Sequence, residues 1–279
     1  MSAVGIGIMV VAGIGMLIGL SKQKAGAEWG KPLAMVCIIV ALGTAVMNIV
    51  KTSTGGSNTK GIVEREMQYQ KIKGKKLGAY LAEKYPGSKA LIIVEPKLSG
   101  STAKKKPNVV LEGLKEGFGS AITIVAEVSP TIPEKALKNM KSQMPVMEGG
   151  AEGMEGEEMM PPMEFWYRAA LLNKLLDQYK DKYDMIVTLI GLPQDARNVK
   201  VLKSKKRPKV AIAEGSVYEL RGAIKAGVVV AAVTYNPKAE YTDKAVPKDL
   251  DEAFKDRYLL LTPETVDQVA SQCPGIFAK

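Results

Sequence analysis

The sequence predicts an α/β chain: a doubly wound parallel sheet of about six strands, preceded by a two-helix transmembrane hairpin. Three observations carry that expectation. Two uncharged apolar runs open the chain, over residues 3–20 and 32–50. Short apolar runs of β type recur from residue 89 onward. Segments with helical spacing stand between most of them.

The runs AVGIGIMVVAGIGMLIGL and PLAMVCIIVALGTAVMNIV hold 18 and 19 residues. Roughly 17–25 apolar residues span the hydrocarbon core of a bilayer. A cleavable export signal is the alternative, because KAGA before Glu28 is a small-residue site. No Lys or Arg precedes the first run, however, and a signal peptide needs a positive start. Residues 1–50 are therefore expected to form a hairpin in the lipid bilayer. Gly15 and Gly19 form a small-xxx-small step. It serves either packing against Ala41 and Ala45 of the second run or association between chains into a homo-oligomer. Lys22, Lys24 and Lys31 crowd the hairpin loop, closer to the apolar ends than Lys51, Lys60 and Arg65 on the far flank. That bias puts the loop in the cytoplasm and the large domain outside it, at the cell membrane.

Residues 51–61, KTSTGGSNTKG, have the composition of a flexible tether. A leading helix is expected over 62–84, with Ile62, Met67, Ile72, Leu77 and Leu81 near helical spacing. Lys71, Lys73, Lys75 and Lys76 crowd its middle. They are read as a solvated face, with contact to anionic headgroups as the other reading.

The α/β domain is expected over 85–279. Its strands are 89–95, 121–127, 183–191, 209–214, 228–235 and 258–262, continuous in hydrophobicity as strands covered on both faces are. Helices are expected at 107–119, 164–180, 216–227 and 262–272. The third opens on a capping box from Ser216 to Glu219. The fourth has Thr262 as N-cap and Pro263 at its first position. With right-handed crossovers, the strand order expected is the flavodoxin-like 2-1-3-4-5-6 among the doubly wound orders. An insertion at 143–163, rich in Glu, Gly, Met and Pro and without a basic residue, has the composition of a disordered loop.

Composition narrows the chemistry. The net charge is +10, there is no histidine, and there are two cysteines. His-dependent triads and His or Cys-rich metal sites are excluded. No phosphate-binding glycine motif and no serine elbow is present. No cofactor and no metal is expected, and nucleic acid is not expected because the lysines are spread along the chain.

Ligands of open parallel sheets bind beyond the strands' carboxyl ends. Those ends are EPKLSGS, EVSPTIP, GLPQDAR, EGSVYE, YNPKAE and TPET. The candidate ligand-binding residues are Glu95, Ser99, Gly191, Gln194, Asp195, Glu214, Gly215, Ser216 and Asn236. Glu95, Asp195 and Glu214 could form an acidic cluster at neighbouring ends, although capping and loop bonding would explain them equally.

The stretch AIKAGVVVAAVTYNP, residues 223–237, resembles the helix–Gly–strand–Asn-Pro segment of sugar-type (type 1) periplasmic binding proteins. LLLTPETVDQV, residues 259–269, resembles the strand and helix that end the same proteins. The resemblance implies the periplasmic-binding-like fold, one lobe of it, and binding of a small ligand. It departs from that family in having one lobe's length of α/β chain and no evident aromatic and Asp/Arg sugar clamp. The expected function is thus a membrane-tethered, non-catalytic α/β module that binds a small polar ligand or an envelope partner. The alternatives are an enzyme acting on an anionic substrate at the strand ends, or an oligomeric membrane scaffold.

Overall fold

The computed structural model describes Ser21 and residues 56–96, 107–143, 161–242 and 244–278. Apart from Ser21, the hairpin at 1–50 lies outside the described residues, as do the tether residues 51–55 and nearly all of the insertion at 143–163. Among the described residues, no helix is long and apolar enough to cross a membrane. The chain divides into two units, Met1–Glu64 and Arg65–Lys279, and the second holds the whole sheet.

The first element is a long helix, α1 (Gly56–Lys84). It takes in residues 56–61, which the sequence reading assigned to the tether. Within the second unit its buried stripe is Tyr69, Lys73, Leu77 and Leu81, a strict i, i+4 series. Ile62 and Met67, two of the expected apolar positions, are exposed instead.

Then follow β1 (Lys89–Ile93), α2 (Val109–Phe118), β2 (Thr123–Val128) and α3 (Glu134–Gln143). A 3-10 turn at Met163–Phe165 leads to α4 (Ala169–Asp177), so the helix expected over 164–180 is shorter than its pattern. β3 (Met185–Thr188), β4 (Lys209–Ile212), α5 (Arg221–Lys225), β5 (Val229–Tyr235), α6 (Leu250–Arg257), β6 (Tyr258–Leu261) and α7 (Val266–Gln272) complete the chain.

The six strands form one sheet in the order β2-β1-β3-β4-β5-β6, as expected. The pairs from β2 to β5 are parallel. β6 is a correction: it pairs with β5 antiparallel, Tyr235 opposite Tyr258. The cause is local. Asn236, just past β5, donates from its backbone N–H to the Arg257 carbonyl and from its side chain to the Lys255 carbonyl. The last turn of α6 is thereby held at the carboxyl edge, and β6 can only run back down.

Alternation along the strands sends side chains to two opposite layers. Leu91, Ile93, Ile186, Val210 and Ile212 meet Leu172 and Leu176 of α4, Ile224 of α5 and Val266 of α7 on one face. Ala90, Ile92, Val187, Ala211 and Val233 meet Leu77 and Leu81 of α1, Leu114 and Phe118 of α2 and Phe254 of α6 on the other. Both faces of the central strands are dry, which explains their continuous hydrophobicity.

α1 and α2 touch backbone to backbone. Each carries a Gly-xxx-Gly step, Gly74 with Gly78 and Gly113 with Gly117. A Cβ on Gly74 would stand 2.0 Å from the Val110 carbonyl oxygen, and one on Gly113 would stand 2.0 Å from that of Lys71. The same contact aligns lysines with acids. Lys71 and Lys75 reach Glu116 of α2 at 2.6 and 3.7 Å, and Lys76 reaches Asp251 of α6 at 2.5 Å. The lysine run of α1 is not a plain solvated face: each of its members pairs with a carboxylate of the domain.

Candidate functional site

The five parallel strands deliver their carboxyl ends to one edge of the sheet. β6, being reversed, sends TPET to the opposite edge and presents its first residue, Tyr258, at the shared one. Six strand ends were expected to converge there, and five do.

The turn after β3 is set by Thr188, whose hydroxyl donates to the Gly191 carbonyl at 2.8 Å and accepts from the Ile190 N–H. Gly191 has φ +78° and Gly215, after β4, has φ +122°. Both angles favour glycine. The two residues also lie back to back, since a Cβ on Gly215 would fall 2.6 Å from the Gly191 Cα.

Beside this junction is a cavity of about 200 Å³, lined by Lys73, Ala213, Glu214, Gly215, Val233, Thr234, Tyr235 and Tyr258. α1 contributes Lys73, which is 4 % exposed. Its ammonium donates to Glu214 in a short ion pair and lies 5.5 Å from the centre of the Tyr258 ring. Tyr235 and Phe254 pack their rings against Tyr258 at 5.4 and 5.7 Å. The Tyr258 hydroxyl is buried without a hydrogen-bond partner. Burial first, and then the charge of Glu66, raise its pKa above the ordinary tyrosine value. It stays a neutral phenol at physiological pH.

Of the sequence candidates, Gly191, Glu214 and Gly215 come together, and the last two line the cavity. Ser99 lies outside the described residues. Glu95 is exposed, and its backbone carbonyl accepts from the Ser129 hydroxyl. Gln194 accepts from Arg168 at 3.3 Å. Asp195 accepts the Ala169 N–H at 2.8 Å, which caps α4 on the face of the sheet opposite α1. Ser216 forms a local turn with the Tyr218 N–H rather than a capping box, because α5 starts only at Arg221. Asn236 is committed to α6 and to the Lys238 N–H. α7 likewise starts later than expected, and the Thr265 hydroxyl accepts from Thr262. Among the described residues no three His, Cys, Asp or Glu side chains gather, so Glu95, Asp195 and Glu214 form no acidic cluster.

Lys73, Tyr235 and Tyr258 were absent from the sequence candidates. For Lys73 a signal existed: the series Tyr69, Lys73, Leu77, Leu81 puts one lysine inside an apolar stripe. Nothing local marks Tyr258, since its place depends on the reversal of β6.

The position of Asp195 changes what its removal does. Asp195→Ala is expected to cost about 1 kcal/mol, the usual worth of a helix N-terminal cap. Glu95→Ala should stay within about 0.5 kcal/mol, as exposed substitutions do. Urea unfolding of the two variants tests this, and equal midpoints would reject the capping role.

No family model matches this chain, and no curated protein does. Solved structures match at low identity. A substrate-binding protein of a sugar ABC transport system from Bordetella parapertussis is 14% identical, over 59% of this chain and 41% of its own, with a TM-score of 0.36. A Caulobacter myo-inositol binding protein bound to myo-inositol is 18% identical, over 71% and 60%, at 0.37. A sugar-binding protein of a sugar ABC transporter from Bacillus halodurans is 11% identical, over 70% and 64%, at 0.36. The chain thus spans less than two thirds of each of them. The likeness is weak and partial.

Proposed function

We propose that this protein is a non-catalytic α/β module that binds a small polar ligand at the carboxyl edge of its sheet, beside Glu214. The observation that carries this reading is the cavity walled by the Lys73–Glu214 pair and by Tyr235 and Tyr258. A concave, mostly apolar wall with a few fixed polar groups is the usual form of a small-molecule site. At about 200 Å³ it lies below the roughly 300–1,000 Å³ of drug-sized pockets, so the ligand is small. Its carboxylate is held by a lysine and the chain has no histidine, which favours binding over acid–base turnover.

The two apolar runs at 3–20 and 32–50 support attachment to a membrane, and the loop lysines support an extracytoplasmic domain. An impermeant thiol reagent that labels a cysteine placed at Gly26 in intact cells would reverse that orientation. The ligand test is a thermal-unfolding screen of the full chain with sugars, amino acids and nucleotides. A binder raises the midpoint of the wild type and not of Glu214→Gln, because ligation stabilises only the native state. A screen without any midpoint shift, or an equal shift in Glu214→Gln, counts against this cavity.

A further inference from the structure

Arg257, the last residue of α6, is 6 % exposed. Its guanidinium stays charged and offers five N–H donors. Nη1 donates to the Glu240 carbonyl at 3.0 Å. Nε is buried with no acceptor. Among the described residues, no carboxylate forms an ion pair with it. The Tyr69 hydroxyl, which donates to the Asp256 carboxylate at 3.5 Å, also lies beside the guanidinium, and two rings lie against it, Tyr69 at 4.7 Å and Tyr241 at 3.9 Å from their centres. Tyr241 is 69% exposed, on the connection between β5 and α6.

A buried cation needs a counter-charge, and ring faces replace only part of one. The free Nε side of a guanidinium matches an oxyanion through two parallel N–H bonds. Arg257 immediately precedes Tyr258 of the cavity, and its neighbour Tyr69 is one turn of α1 before Lys73. We propose that Arg257 is an anion subsite of this edge, which takes the carboxylate or phosphate group of a small molecule once Tyr241 swings aside. The guanidinium is too recessed to meet the flat surface of a macromolecule. This subsite deepens the ligand-binding reading and rests on it: the ligand is an acid.

The test is thermal unfolding of the purified full chain with millimolar inorganic phosphate or succinate, at constant ionic strength, with glucose as the uncharged comparator. Wild type should be stabilised by at least one of the two anions, and which one identifies the acid group. Tyr241→Ala, which uncovers the guanidinium, should keep or enlarge the response, and Arg257→Gln should abolish it. Arg257→Lys keeps the charge without the fork, so its affinity should fall at least about tenfold, or about 1.4 kcal/mol. Should Arg257→Gln fail to fold, Arg257→Lys carries the comparison by titration calorimetry. An undiminished response in Arg257→Lys overturns the subsite. So does the absence of any anion response in both wild type and Tyr241→Ala. Stabilisation by glucose alone rejects the acid and leaves the cavity reading standing.

Discussion

Gly74→Ala should destabilise the protein by about 3 kcal/mol, the upper end of the range for overfilling a packed site. The added methyl would sit 2.0 Å from one backbone oxygen and 2.8 Å from a backbone nitrogen. Neither atom belongs to a side chain that could rotate away, so α1 and α2 must separate. The outcome is counter to helix propensity, which favours Ala over Gly by about 1 kcal/mol. Gly222→Ala is the control. It lies in α5 with nothing within 4 Å of the added carbon. It should be neutral or stabilising by up to about 1 kcal/mol. Urea unfolding followed through the buried Trp166 reads both, and a wild-type midpoint for Gly74→Ala would mean the helices do not touch.

Glu214→Ala should cost about 3 kcal/mol, because it strands the Lys73 ammonium in an apolar layer. The Glu214 side chain is 32% exposed against 5% for Lys73, so the two ends of the pair are unequal. Lys73→Met should cost less, since the glutamate left behind can turn to water. The double variant should be more stable than Glu214→Ala alone, as happens when a stranded charge is removed with its partner. Additive losses in the three variants would show that water already reaches Lys73 and that the pair is screened.

The strands were legible because the physics behind them is local. Apart from Thr188, whose hydroxyl is bonded within its own turn, KALII, MIVT and KVAI are apolar at every buried position, as strands covered on both faces need. Their order is one of the two common doubly wound orders that right-handed crossovers allow. The direction of β6 was not legible, because it depends on two hydrogen bonds from Asn236 to a helix about twenty residues further on. The same limit applied to the site. Asp195 and Glu214 look alike in sequence, each an acid just past a strand. One caps a helix 26 positions upstream and the other meets a lysine 141 positions upstream. Only the three-layer packing separates those fates. The glycine steps of α1 and α2 were in view as residues, but a glycine in a helix signals close approach only once its partner helix is known.

The back-to-back glycines at 191 and 215 bear on how this edge can be redesigned. Each turn occupies the space in which the other's side chain would stand. A loop transplanted at 191–195 therefore has to arrive together with its counterpart at 214–216, and a library that varies one segment while holding the other constant will return glycine at the fixed contact. The two segments form a single cassette, although 18 residues of chain separate the end of one from the start of the other.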